Sequence, residues 1–141
     1  MSSPSRSPKS QLPPELRRRL DAARLGLLTV HKALLDYERS SFESLNGPVA
    51  SSGQFLQIVI NDPFFAWLHP LSQMIVQIDE VEVSREPTAL ADATALLARA
   101  KDMIQPNESG DEFQRRYHHA IQESAEVAVA HGDWRRRVSA G

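Results

Sequence analysis

Apolar residues return every three to four positions along most of this chain, and the interruptions fall where Pro, Gly and Asn gather. That period is helical, because about 3.6 residues per turn places i, i+3, i+4 and i+7 on one face. Over residues 15–45, Leu16, Leu20, Ala23, Leu27, Val30, Leu34, Leu35, Tyr37 and Phe42 share one arc, while Arg17, Arg18 and Lys32 fall outside it. The pattern predicts a first helix of about eight turns. Pro14 can occupy its first turn, and Asn46-Gly47-Pro48 supplies residues that stop it.

The second region is less regular. Ser51 and Gln54 have capping-box spacing ahead of Phe55-Leu56-Gln57-Ile58-Val59-Ile60, which predicts a helix although the β-branched content would also suit a strand. Asp62 is placed to cap a turn that starts at Pro63 and carries Phe64, Phe65, Trp67 and Leu68, and His69-Pro70 interrupts the pattern again. Leu71, Met74, Ile75, Ile78 and Val81 then resume helical spacing up to Ser84-Arg85-Glu86-Pro87. The second helix is therefore predicted to be broken at its prolines. A third helix over about residues 88–104 would pack through Leu90, Ala93, Leu97, Ala100 and Ile104. A fourth, starting near Ser109 with Glu112 at capping-box spacing, would present Phe113, Tyr117, Ala120, Ile121, Val127 and Ala128.

Short connections favour antiparallel neighbours, so the predicted fold is all-α, an up-down four-helix bundle. One domain would span residues 15–137 behind a Ser/Pro-rich tail over residues 1–14, whose composition cannot offset its ordering entropy. A length of 141 residues with 41% hydrophobic and 24% charged positions suits one globular domain with a single core. No signal-peptide core and no membrane-spanning run stand out, so a bacterial-type cytoplasm is the expected setting and no membrane partner is expected.

The absence of Cys removes thiolate chemistry, disulfides and Cys-ligated metals, leaving His and carboxylates as the only metal donors. His31 and Glu38 lie within the apolar arc of the first helix, which makes them candidate ligands for a divalent metal or a small molecule, with Tyr117, Glu123 or His69 as conceivable neighbours. Against that, no Glu-x-x-His or His-x-x-x-His pair is present, and adjacent His118 and His119 point about 100° apart. In an antiparallel bundle the level of His31 would fall near Glu123, leaving His131 about 12 Å away. The plainer expectation is that inward polar groups are satisfied by internal hydrogen bonds, and no cofactor is expected.

The Pro-broken segment gathers Phe64, Phe65, Trp67 and His69, and is read as a partner surface or the wall of a pocket. Arg17, Arg18 and Arg19 should meet Arg135, Arg136 and Arg137 at one end of the bundle, where Asp79, Glu80, Glu82 and Glu86 could neutralise them. With a net charge of −2, nucleic acid is not the expected partner. No phosphate loop, nucleophile elbow or His-Glu-x-x-His motif is present. The leading expectation is thus a small interaction or regulatory protein that binds a protein partner or pairs with itself as a homodimer. The alternative is a metal- or ligand-binding bundle, conceivably an enzyme, centred on His31 and Glu38.

Overall fold

The computed structural model describes residues 12–84 and 90–140. Residues 1–11 of the expected tail, and residues 85–89 between the second and third predicted helices, lie outside them. Every described element is helical: α1 (Pro14–Asn46), α2 (Ser52–Asn61), a 3-10 segment (Pro63–Leu68), α3 (His69–Val83), α4 (Leu90–Met103), α5 (Glu112–Glu123) and α6 (Ala125–Ala140). The all-α expectation holds, but six α-helices replace the expected four. Leu12, assigned to the tail from sequence, is buried in the core, so the packed chain starts before residue 15.

The punctuation explains the first half. Pro14 opens α1, whose end is fixed by Gly47 at φ 88°, with its N–H donating to the Glu43 carbonyl. The Ser51 side chain accepts from the Gln54 N–H and caps α2, and Asp62 accepts from the Phe64 N–H at 2.9 Å at the start of the 3-10 segment. His69-Pro70 does not break the chain a second time. It opens α3, with Pro70 in a first turn that needs no N–H.

The second half departs further from expectation. The cap of α5 is Asp111, not Ser109: Asp111 accepts from the Gln114 N–H at 2.9 Å while the Gln114 side chain accepts from the Asp111 N–H at 3.2 Å. The single fourth helix is two. Ser124 leaves helical geometry at φ −128° and ψ 120°, and its hydroxyl accepts from the Val127 N–H to cap α6. The Tyr117 hydroxyl stands 2.7 Å from His131 Nδ1, although residues fourteen apart in a straight helix lie about 21 Å apart. The chain therefore turns a sharp corner at Ser124.

Helix α1 is the central element, packed on α3, α4 and α6. Against α3 it runs antiparallel, since Arg24 meets Glu82, His31 meets Ser72 and Glu38 meets Trp67 at the entry to α3. Against α6 it is also antiparallel, with Gly26 beside Trp134 and a groove between Ala33 and Ala130. The level of His31 thus lies nearer Ala130 than Glu123, a correction to the expected register. A continuous core of Leu20, Leu27, Val30, Leu34, Leu71, Ile78, Ala93, Ala100, Tyr117 and Val127 runs through these contacts. Among the described residues, no helix is long and apolar enough to cross a membrane.

Candidate functional site

The Pro-broken segment is the most concentrated aromatic region of the fold, but its rings face inward. Phe65 is fully buried, Trp67 is 6% exposed, and Phe64 is half-buried. Phe65 packs edge-on against Phe64 at 5.1 Å and Phe55 at 5.7 Å, and Phe42 joins them at 5.6 Å. Removing such rings from water stabilises the fold more than leaving them on display. His69 alone of the four sequence candidates is exposed. Phe55 of α2 covers Phe65 and Phe113 of α5 packs on Trp67; α2 itself rests chiefly on the 3-10 segment and buries none of its own side chains fully.

The polar centre of this region is Glu38. Its carboxylate, 7% exposed, accepts a 2.7 Å hydrogen bond from the Trp67 indole N–H. A buried carboxylate is costly unless bonded, and an indole N–H is a donor that needs a partner, so each group removes the other's penalty. Beside this pair opens a cleft of about 380 Å³ lined by Tyr37, Glu38, Ser41, Phe64, Trp67, Arg115, Arg116 and His119. A second, of about 460 Å³, lies on the other flank of Trp67 between Pro70, Met103, Asp111 and Phe113. The Arg116 guanidinium sits 5.9 Å from the Trp67 ring centre and donates to Glu112 at 3.1 Å, while Arg115 donates to the Gly110 carbonyl at 2.8 Å. Burial, with the charges of Glu38 and Glu123, raises the Tyr37 pKa above its ordinary value, since each opposes the phenolate.

His31 is not part of this cleft. Its Nε2 shares a 3.0 Å hydrogen bond with the Ser72 hydroxyl, so the two inward polar residues of α1 have separate partners on the α3 side. Tyr117 pairs with His131, not with Glu38. Among the described residues no group of three or more His, Asp or Glu side chains could hold a metal ion, so the alternative metal reading of His31 and Glu38 finds no further ligands there.

Burial lowers the His31 pKa below the ordinary 6.5, and burial with repulsion from Arg135 does the same at His131. A histidine depressed in the folded state adds stability that is whole above its unfolded pKa and is lost as pH falls through the folded value. Glu82 runs the other way. Burial and Asp21 raise it above 4.5, against the pull of Arg24, so its ionisation costs stability at neutral pH and that cost fades as pH falls. Urea unfolding should therefore show stability declining below about pH 6.5, with a flatter decline in His31→Asn and a steeper one in Glu82→Gln. Identical slopes in all three proteins would contradict these assignments.

Among the described residues, the ion pairs of the expected arginine end come from Glu15 and Asp133, which serve four of its six arginines, while the foreseen Asp79 and Glu82 carboxylates meet Arg24 instead. Arg24 meets Asp21, Asp79 and Glu82, Arg17 donates to the Glu82 carbonyl, Arg18 and Arg19 pair with Glu15, and Arg136 and Arg137 pair with Asp133. The sequence reading missed Arg115, Arg116 and His119, since only the His118-His119 pair was weighed, and only as metal ligands. In the fold the two histidines diverge as adjacent helical residues must: His118 Nε2 lies 3.3 Å from the Glu108 carboxylate and His119 lines the Trp67 cleft. Their signal was the polar run from Gln114 to His119, read without knowledge that α5 crosses Trp67. Comparisons with known protein families, with curated proteins and with solved structures find no match to this chain, so its function has to be argued from these surfaces.

Proposed function

We propose that this protein is an interaction module whose contact surface is α2, with a second copy of the same chain as its partner. In this reading α1, α3, α4 and the α5–α6 pair form an up-down frame and α2 is the element on display. The cytoplasmic setting expected from the sequence belongs to the same proposal.

The observation that carries it is the outer face of α2. Phe55, Ile58 and Val59 turn toward the aromatic cluster, whereas Leu56 and Ile60, one helical turn apart, are 56% and 55% exposed. Leu45, at the end of α1, is 76% exposed. No residue between Glu43 and Asp62 carries a formal charge, in a chain where 24% of positions do. A charged face laid on its own twofold copy brings like charges together; an uncharged apolar face does not. Gly53, where a Cβ would meet nothing nearer than the Ser51 hydroxyl at 4.0 Å, continues the stripe and lets a facing helix approach closely. Each half-exposed Leu or Ile withdrawn from water contributes on the order of 1 kcal/mol, so four of them across a symmetric pair, set against the cost of association, support no more than a weak, concentration-dependent dimer.

Light scattering across a concentration series tests this. The wild type should rise from the 15.8 kDa monomer toward twice that mass as the concentration approaches about 1 mM, and Leu56→Glu with Ile60→Glu should hold it at the monomer mass with unchanged helix content. A wild type that stays monomeric across the series, or a double variant that dimerises as well as the parent, would overturn the proposal.

A further inference from the structure

The cleft beside Trp67 is independent of the α2 face and has a different chemistry. Its walls carry charges of opposite sign: the Glu38 carboxylate comes from α1, and Arg115 and Arg116 come from α5. Its aromatic lining is the half-buried Phe64 and the 6% exposed Trp67, whose ring is fixed in orientation by the bond to Glu38. The negative end extends through Tyr37, whose hydroxyl feels both Glu38 and Glu123. A volume of about 380 Å³ falls within the range of small-molecule sites, and aromatic side chains with a few convergent polar groups are their usual lining.

We infer that this cleft binds a small zwitterion with an apolar body, of the kind represented by an aromatic α-amino acid. Its carboxylate would lie against Arg115 and Arg116, its ammonium against Glu38 with the Tyr37 hydroxyl, and its side chain against the half-buried Phe64 beside Trp67. The two signs also select against simpler ligands. A bare anion meets the buried Glu38 carboxylate, and a bare cation meets two guanidiniums, so each loses on one wall what it gains on the other. Arg116 already stacks on Trp67, so a second cation has no uncontested claim on that ring.

The test is a titration of the ¹⁵N-labelled protein, read at its two tryptophan indole N–H signals. Trp67 lines the cleft, whereas Trp134 is buried between α6 and Gly26 and serves as the internal control. With L-phenylalanine up to about 10 mM, the Trp67 signal should move along a saturating curve while Trp134 stays fixed. 3-Phenylpropionate, lacking the amine, and 2-phenylethylamine, lacking the carboxylate, should each bind at least about tenfold more weakly. Arg115→Gln with Arg116→Gln, on the exposed side of α5, should weaken phenylalanine binding by about the same factor, as should Glu38→Gln, which keeps an acceptor for the indole. Equal binding of phenylalanine and either single-charge analogue, equal movement of both indoles, or no movement of Trp67 would each overturn the inference.

Discussion

Trp67→Phe is expected to destabilise the fold by about 2–3 kcal/mol, even though a ring still fills the site. The reason lies in what it leaves behind. Glu38 is buried and accepts the indole N–H at 2.7 Å, and deleting that donor leaves a largely buried carboxylate without its hydrogen bond at the edge of the cleft. Loss of ring volume beside Phe113, at 5.5 Å, is the smaller part. The two contributions separate in a double-mutant cycle. Glu38→Met added to Trp67→Phe removes the unbonded charge as well, so the double variant should recover at least about 1 kcal/mol relative to Trp67→Phe alone. Urea unfolding midpoints of the four proteins give the coupling directly. Strictly additive losses would mean that the hydrogen bond does not hold the segment.

Gly26→Val should cost about 3 kcal/mol, against the usual gain from replacing a helical glycine. Gly26 sits where α1 meets Trp134 and Arg137 of α6. A Cβ there would stand 2.8 Å from Trp134 Cε3 and 3.4 Å from the Trp134 Cα. Trp134 is 2% exposed, so its ring has nowhere to swing, and its backbone belongs to α6. The helices would have to separate, opening the contacts of Ala23, Leu27 and Val30. Gly26→Ala should cost about 1 kcal/mol, because the same clash is partly offset by better helix propensity. In thermal unfolding the valine variant should melt roughly 10 °C below the parent. A valine variant as stable as the parent would show that α1 and α6 do not meet so closely.

Much of the first half of the fold was legible because its boundaries are set by local chemistry. Pro14, Gly47, Ser51, Asp62 and Pro63 act within a few residues of themselves, and the structure uses each as expected. The corner at Ser124 was not legible, because Phe113, Tyr117, Ala120 and Val127 keep helical phase across it and no Pro or Gly marks it. Only Ser124 as a cap with Glu126 in the following turn hints at a new start. The start of α5 was ambiguous for a similar reason: Ser109 with Glu112 and Asp111 with Gln114 both satisfy the capping-box spacing, and the turn at Asn107 decides for the second.

The candidate site divided along the same line. That Glu38 points inward was readable from one helix. That its partner is Trp67, 29 positions away, required the packing of α1 against the 3-10 segment. The aromatic segment was singled out from its residues, and Phe64 and Trp67 do line a cleft, whereas Phe65 is buried under Phe55 of α2, a helix whose other side carries the exposed Leu56 and Ile60. Hydrophobic periodicity sees which side of a helix is apolar, and α2 is apolar on both. Which of those sides is covered depends on the rest of the fold.

Amide hydrogen exchange at low and high protein concentration tests the central claim most directly, since protection reports which backbone is covered. The expected result is that raising the concentration slows exchange within α2 and leaves α4 and α5 unchanged, and that Leu56→Glu abolishes the difference. Exchange in α2 that is independent of concentration, or added protection confined to another helix, would contradict it.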